Sequence, residues 1–208
     1  MSTVKTFFSA FLAGVCIAIG GTVYLSLDNK VLGSMLFTIG LFVICTSGLH
    51  LYTGKVCFIF QNDLKYLAQI PVIWLGNFLG TALVALIETQ TRIGPAIAEK
   101  AMQICQVKLD DTVLSIFFLA IFCNMLIFVG VDGFKEIPHE VGKYLALFFG
   151  VMVFILCGFE HCIANMYYFT IAGAWSAKAF GYLMIMTLGN LVGGVFFPLL
   201  RGWIRKTK

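Results

Sequence analysis

The sequence predicts an all-α integral membrane protein of six transmembrane helices, built as two inverted three-helix repeats with the second and fifth helices broken. Three observations predict it. Of 208 residues, 60% are hydrophobic and 12% charged, and the mean hydropathy is +0.96, whereas a soluble domain is about half apolar and roughly a quarter charged. Six runs are long enough to cross a bilayer, which takes about 20 mostly apolar residues. Two of these runs are interrupted by polar residues and glycine, and the interruptions resemble each other.

The runs fall at about 6–27, 31–60, 68–89, 112–132, 142–170 and 178–202. The first follows a single lysine and lacks the short apolar core and small-residue cleavage site of a signal peptide, so it reads as a spanning helix. The second and fifth exceed one crossing and carry polar residues and Gly in their C-terminal halves. With six spans, both termini share a side with the second-to-third and fourth-to-fifth loops. That side holds Lys5, Lys55, Lys65, Lys135, Lys143, Arg201, Arg205, Lys206 and Lys208; the other holds Lys30, Arg92, Lys100, Lys108 and Lys178. Nine against five predicts cytoplasmic termini, because Lys and Arg accumulate on cytoplasmic loops.

"GLHLYTGKV" (48–56) aligns with "GFEHCIANM" (158–166), pairing Gly48 with Gly158, His50 with Glu160 and Lys55 with Asn165. About thirty residues on, "LGNFLG" (75–80) aligns with "LGNLVG" (188–193). Two matches in the same order at nearly one offset imply a duplication, 1–104 and 105–208. Each half has three spans, so the second inserts upside down relative to the first. Inverted repeats with broken helices are an architecture of transporters and channels, whose pathway lies near the midplane. Irregular backbone at membrane depth is tolerated only inside protein or beside a water-filled cavity, so the breaks at 46–54 and 158–162 should line that pathway. The helix N-termini that follow them favour anions.

Glu160 is the one acid well inside a span, at a cost of at least ~2.5–3.5 kcal/mol for a charge at the bilayer centre. It reads either as a permeation carboxylate or as an acid that supports the break. His161 can donate to an anion when neutral and gain charge near physiological pH, which makes it a pathway candidate. Asn77 and Asn190, within LGNxxG, suit a structural role: glycine allows close helix packing and the amide can bond a freed carbonyl. Seven cysteines form no CxxC pair, which argues against a disulfide framework or zinc site and for buried free thiols. Neither GxGxxG nor a Walker pattern is present, so no cofactor or nucleotide is expected, and the net charge of +4 gives no case for nucleic acid.

"GFEHCIANM" and "LGNxxG" resemble the formate–nitrite transporter family of bacterial anion channels, and the similarity runs over essentially the whole chain. The resemblance implies an aquaporin-like protomer, a homo-pentamer in the bacterial inner membrane with one pore per protomer, and conduction of formate, nitrite, hydrosulfide and, in some members, acetate or lactate. It matches the central family histidine to His161 and the threonine of the broken second span to Thr53, as donors to an anion at mid-pore. Constriction residues match Phe37, Leu41, Leu51, Tyr52 and Phe154. The lysine sixteen residues before an asparagine matches Lys108 and Asn124, the lysine raising the local anion concentration. His50, Glu160, Asn165, Asn77 and Asn190 fall at positions that support the breaks.

The chain departs from the family where an acid is usual before "LFT", here His50, and where Asn usually follows "TG", here Lys55. Only about five residues precede the first span, so a plug formed by an N-terminal helix is not expected. Two rival readings are an aquaporin-like neutral-solute pore, whose paired Asn-Pro-Ala boxes are missing from this sequence, and a membrane hydrolase using Glu160, His161 and Cys162. Neighbouring residues point to different sides of a helix, which makes the latter geometry weak.

Overall fold

In the computed structural model, residues 2–206 are described, and they form ten α-helices and no strand. Lys208 and the side chain of Lys206, both counted above on the terminal side, lie outside the described residues. Helix α1 (Thr3–Leu25) is capped by Ser2, whose side chain accepts from Lys5 N. It is followed by α2 (Lys30–Phe37), α3 (Ile39–Thr46) and α4 (Tyr52–Lys55), which runs into a 3-10 stretch, Val56–Gln61. Helix α5 (Leu64–Glu88) starts at an Asp63 cap, α6 spans Gly94–Leu109, and α7 (Val113–Glu136) starts at a Thr112 cap. The chain ends with α8 (Glu140–Leu156), α9 (Cys162–Ile171) and α10 (Ala177–Lys206).

Among the described residues, four helices are long and apolar enough to cross a membrane: α1, α5, α7 and α10. The runs read as the second and fifth spans are each divided. In the first, a turn at Thr38 separates α2 from α3, and residues 47–51 leave the helix before α4. In the second, α8 stops at Leu156 and α9 starts at Cys162.

Packing follows small residues. Helix α1 lies along α5 and α7 along α10. The two LGNxxG segments supply the close approach: a Cβ at Gly76 would meet Phe7 O at 2.9 Å, and one at Gly189 would meet Phe117 O at 2.7 Å. At Gly80 and Gly193 a Cβ would overlap the Phe11 and Ile121 carbonyls. Small residues four apart let helix backbones touch, which is how helices associate where lipid removes the hydrophobic drive.

Both breaks close in one way. Gly48 (φ +66°) and Gly158 (φ +68°) take the left-handed conformation, which Gly adopts without steric cost. Leu49 N then donates to Ile44 O and Phe159 N to Phe154 O, each at 2.9 Å, satisfying carbonyls that a helix end leaves orphaned.

The segment 94–109 differs from the sequence reading, in which Lys100 and Lys108 stand as charges between the third and fourth spans. Lys108 lies instead in the last turn of α6, a helix whose buried Ile97, Ala101 and Cys105 recur every four residues and which packs on α9.

Candidate functional site

The site grows from the two chain breaks. Extended residues 49–51 and 159–161 leave backbone groups without helical partners, and one asparagine serves each break. Asn77 accepts from Tyr52 N (2.8 Å) and donates to His50 O (3.0 Å) and Ala10 O (2.7 Å). Asn190 accepts from Cys162 N (2.9 Å) and donates to Glu160 O and Ala120 O, each at 2.8 Å. Both amides are fully buried. The sequence pairing of His50 with Glu160 thus reappears as one hydrogen-bond pattern made twice.

The helices these amides anchor bring Thr53 and His161 together. Thr53 Oγ1 lies 3.0 Å from His161 Nε2, and both residues are buried. His161 caps α9, its Nδ1 accepting from Ala164 N at 3.1 Å. A nitrogen that accepts an N–H carries no proton, so in the neutral ring the hydrogen sits on Nε2 and donates to Thr53. The imidazole lies against Phe154, with ring centroids 5.5 Å apart and planes 14° apart, and Phe154 meets Phe37 edge-on at 6.4 Å.

Two cavities lie near this pair, one reaching His161 and the other Gly54, the neighbour of Thr53. The first, about 290 Å³, is lined by Phe37, Phe154, Glu160, His161, Asn165, Lys30 and Lys108 among others. The second, about 510 Å³, reaches Leu41, Leu51 and Gly54 and carries Lys55 and Lys135. Phe37 and Phe154 therefore belong to the first cavity and Leu41 and Leu51 to the second, with Thr53 lining neither.

The remaining site residues support this frame. Lys108 Nζ contacts Glu160 Oε2 at 2.6 Å, with side-chain exposures of 11% and 3%, and Asn165 Nδ2 donates to the same oxygen at 2.8 Å. Glu160 thus ties α6 to the start of α9 through its side chain and to Asn190 through its carbonyl. Asn124 is buried off both cavities and donates to Thr53 O at 3.0 Å, fixing the backbone of α4. Tyr52 also lines neither cavity; its hydroxyl donates to Thr187 O at 3.1 Å. His50 is half-buried, and its Nδ1 has no partner. The sequence reading missed Lys30 in the first cavity, which looked like a loop charge. It also missed the cluster in which Glu88 accepts from Thr22 Oγ1 (2.5 Å) and Tyr167 OH (2.6 Å), because Glu88 stands at the end of an apolar run.

Among the described residues no group of three His, Cys, Asp or Glu is arranged to hold a metal ion. A helical membrane protein with a buried polar pair, one cavity reaching His161 and a second reaching Gly54 beside Thr53, and apolar side chains on both cavity walls has the form of a transporter or channel. The chain belongs to the formate/nitrite transporter family, whose profile matches residues 1–204. It is similar to the uncharacterized transporter YrhG of Bacillus subtilis (30% identical, 90% of this chain and 79% of that one). It is also similar to the nitrite transporter NirC of Salmonella typhimurium (27% identical, 96% and 82%). In structure it resembles a pentameric formate channel with formate bound, with a TM-score of 0.86, 26% identity, and coverage of 99% and 98%. These relatives are transporters and channels, and the family is not one of enzymes.

Proposed function

We propose that the chain is a passive or proton-coupled pathway for small monovalent weak-acid anions, formate first and hydrosulfide or nitrite next. The observation that carries this reading is the buried Thr53–His161 hydrogen bond, with His161 on the wall of the first cavity and Gly54, next to Thr53, on the wall of the second. In this reading there are six spans, with α2 to the 3-10 stretch counted as one and α8 with α9 as another. Residues 1–104 and 105–208 are then the inverted repeats, both termini are cytoplasmic, and the protein is a homo-pentamer in a bacterial inner membrane. The likeness to a pentameric formate channel over 99% of the chain supports the assembly and the ligand class.

The chemistry follows from the site. Phe37 and Phe154 on one side, and Leu41 and Leu51 on the other, offer no dipoles to replace an anion's hydration shell, and an unpaired charge in such a slot is costly. A weak acid avoids the cost by taking a proton and crossing as the neutral molecule. Thr53 Oγ1 and His161 Nε2 are then the polar groups it can hydrogen-bond between the seals. Because Nδ1 is engaged by Ala164 N, protonating the ring there breaks a helix cap. His161 therefore acts best as a neutral donor, and the acid's proton comes from water in the cavity. The Lys108–Glu160 pair is neutral as a unit, so it supports the break and presents an N–H donor rather than a net positive field.

The test is stopped-flow flux in proteoliposomes with formate, nitrite, hydrosulfide and lactate at several pH values. The expected result is saturable, protein-dependent flux of one or more of the small anions, rising as the external pH falls. Rates equal to those of empty liposomes for all four would refute the reading.

A further inference from the structure

The second cavity carries unbalanced positive charge. Its wall holds Lys55 and Lys135 against one acid, Glu136, whereas the first cavity sets Lys30 and Lys108 against Asp111 and Glu160. Lys135 Nζ lies 3.9 Å from the centre of the Phe58 ring. Among the described residues the Lys55 ammonium has no ion-pair or hydrogen-bond partner. Its backbone is nevertheless held, because Lys55 O accepts from Tyr66 OH at 2.8 Å.

Comparison of the two halves explains the imbalance. Two residues after Gly158 stands a carboxylate, Glu160, and seven after it Asn165, whose amide reaches that carboxylate at 2.8 Å. Two residues after Gly48 stands His50, and seven after it Lys55. The glycines share their left-handed φ and the asparagine anchors share their pattern, so residue 50 is placed to reach residue 55. An imidazole there offers no negative charge, and its Nδ1 is itself buried without a partner. Lys55 thus stands uncompensated in a cavity whose wall also holds the apolar pair Leu41 and Leu51.

We infer that Lys55, with Lys135 beside it, forms an anion-binding subsite in the second cavity for a small monovalent carboxylate or inorganic anion. Its role in permeation rests on the functional reading above; its existence as a binding site does not. A carboxylate held by two ammonium groups in a half-enclosed cavity is less screened than one at an open surface, and charge-assisted hydrogen bonds are the stronger kind.

The experiment is an equilibrium titration of the purified, detergent-solubilised protein with 13C-formate, followed by NMR line broadening, run beside formate flux in proteoliposomes. Lys55→Met is expected to weaken the tighter binding component about tenfold, the scale of one charge-assisted contact. His50→Glu is expected to do the same by pairing Lys55 internally, while Lys55→Arg binds within about twofold of the parent and shows that position 55 tolerates change. Parent-like binding by both Lys55→Met and His50→Glu, or no broadening with the parent, overturns the subsite. Flux without Lys55-dependent binding overturns the subsite and leaves the pathway standing. Lys55-dependent binding without flux sustains the subsite and sinks the pathway.

Discussion

Thr53 and His161 stand 108 residues apart in sequence and 3.0 Å apart in space. Thr53 lies in the first turn of α4 and His161 is the cap of α9, so each begins a short helix that follows a left-handed glycine. The contact exists because two distant segments break in the same manner and are anchored in the same manner.

His161 has two jobs that substitution can separate. His161→Ala removes the cap on Ala164 N and is expected to cost ~1–2 kcal/mol from the cap alone. His161→Asn keeps a capping oxygen and should retain most of that stability. Thermal unfolding of the detergent-solubilised protein checks the order: parent and His161→Asn close together, His161→Ala lower.

The Lys108–Glu160 pair is nearly buried, so its halves depend on each other. Glu160→Gln leaves an ammonium unpaired beside α9 and should destabilise by about 3 kcal/mol, the low end for buried pairs because this one faces a cavity. Adding Lys108→Met to Glu160→Gln should recover most of the loss. A double variant as unstable as the sum of both single changes would show that the two residues do not act as a pair.

Asn77 and Asn190 are buried amides that each make three hydrogen bonds to backbone. Truncation to Ala strands those groups at about 1–3 kcal/mol each before relaxation, so either change should lower the unfolding temperature more than a surface substitution does. Hydrogen exchange gives a sharper check: Tyr52 N should lose protection in Asn77→Ala and Cys162 N in Asn190→Ala, without crossover.

The Asp28–Lys100 pair at 2.7 Å lies outside the spans. The hydrogen bond and charge of Lys100 hold the Asp28 carboxyl below its usual range. A lowered carboxylate contributes stability that is present above its unfolded value and lost as pH falls through the folded one. The side chain is fully exposed, so Lys100→Ala should leave thermal stability near neutral pH close to the parent's while moving the Asp28 titration up toward the ordinary range, as carboxyl NMR shifts would report.

Much of this arrangement was legible in the sequence, and the exceptions have physical causes. Hydropathy located α1, α5, α7 and α10 because lipid imposes length and apolarity directly. The breaks were legible because glycine beside His50 and Glu160 is costly in hydrocarbon unless the backbone there is served by protein. Helix α6 escaped because Glu99, Lys100 and Lys108 interrupt its apolar residues and Gly94, Ile97, Ala101 and Cys105 alone mark its buried edge. The resemblance makes Tyr52 a constriction residue like Leu51, but the two side chains differ in what they meet. Leu51 lines the second cavity while Tyr52 turns to Thr187, and adjacent letters do not reveal azimuth. The Lys108–Glu160 pair, 52 residues apart in sequence, depended on α6 and was hidden with it.

The most direct test of the central claim, that a small weak acid crosses by way of the Thr53–His161 pair, is formate flux in proteoliposomes carrying His161→Asn, matched to the parent in protein content and stability. The cap is kept in this variant, while the ring that donates to Thr53 and stacks on Phe154 is gone. The account predicts at least about a tenfold loss of protein-dependent formate flux, the scale of losing one positioned donor. Flux equal to the parent's across the same pH range would contradict it and move the crossing point away from His161.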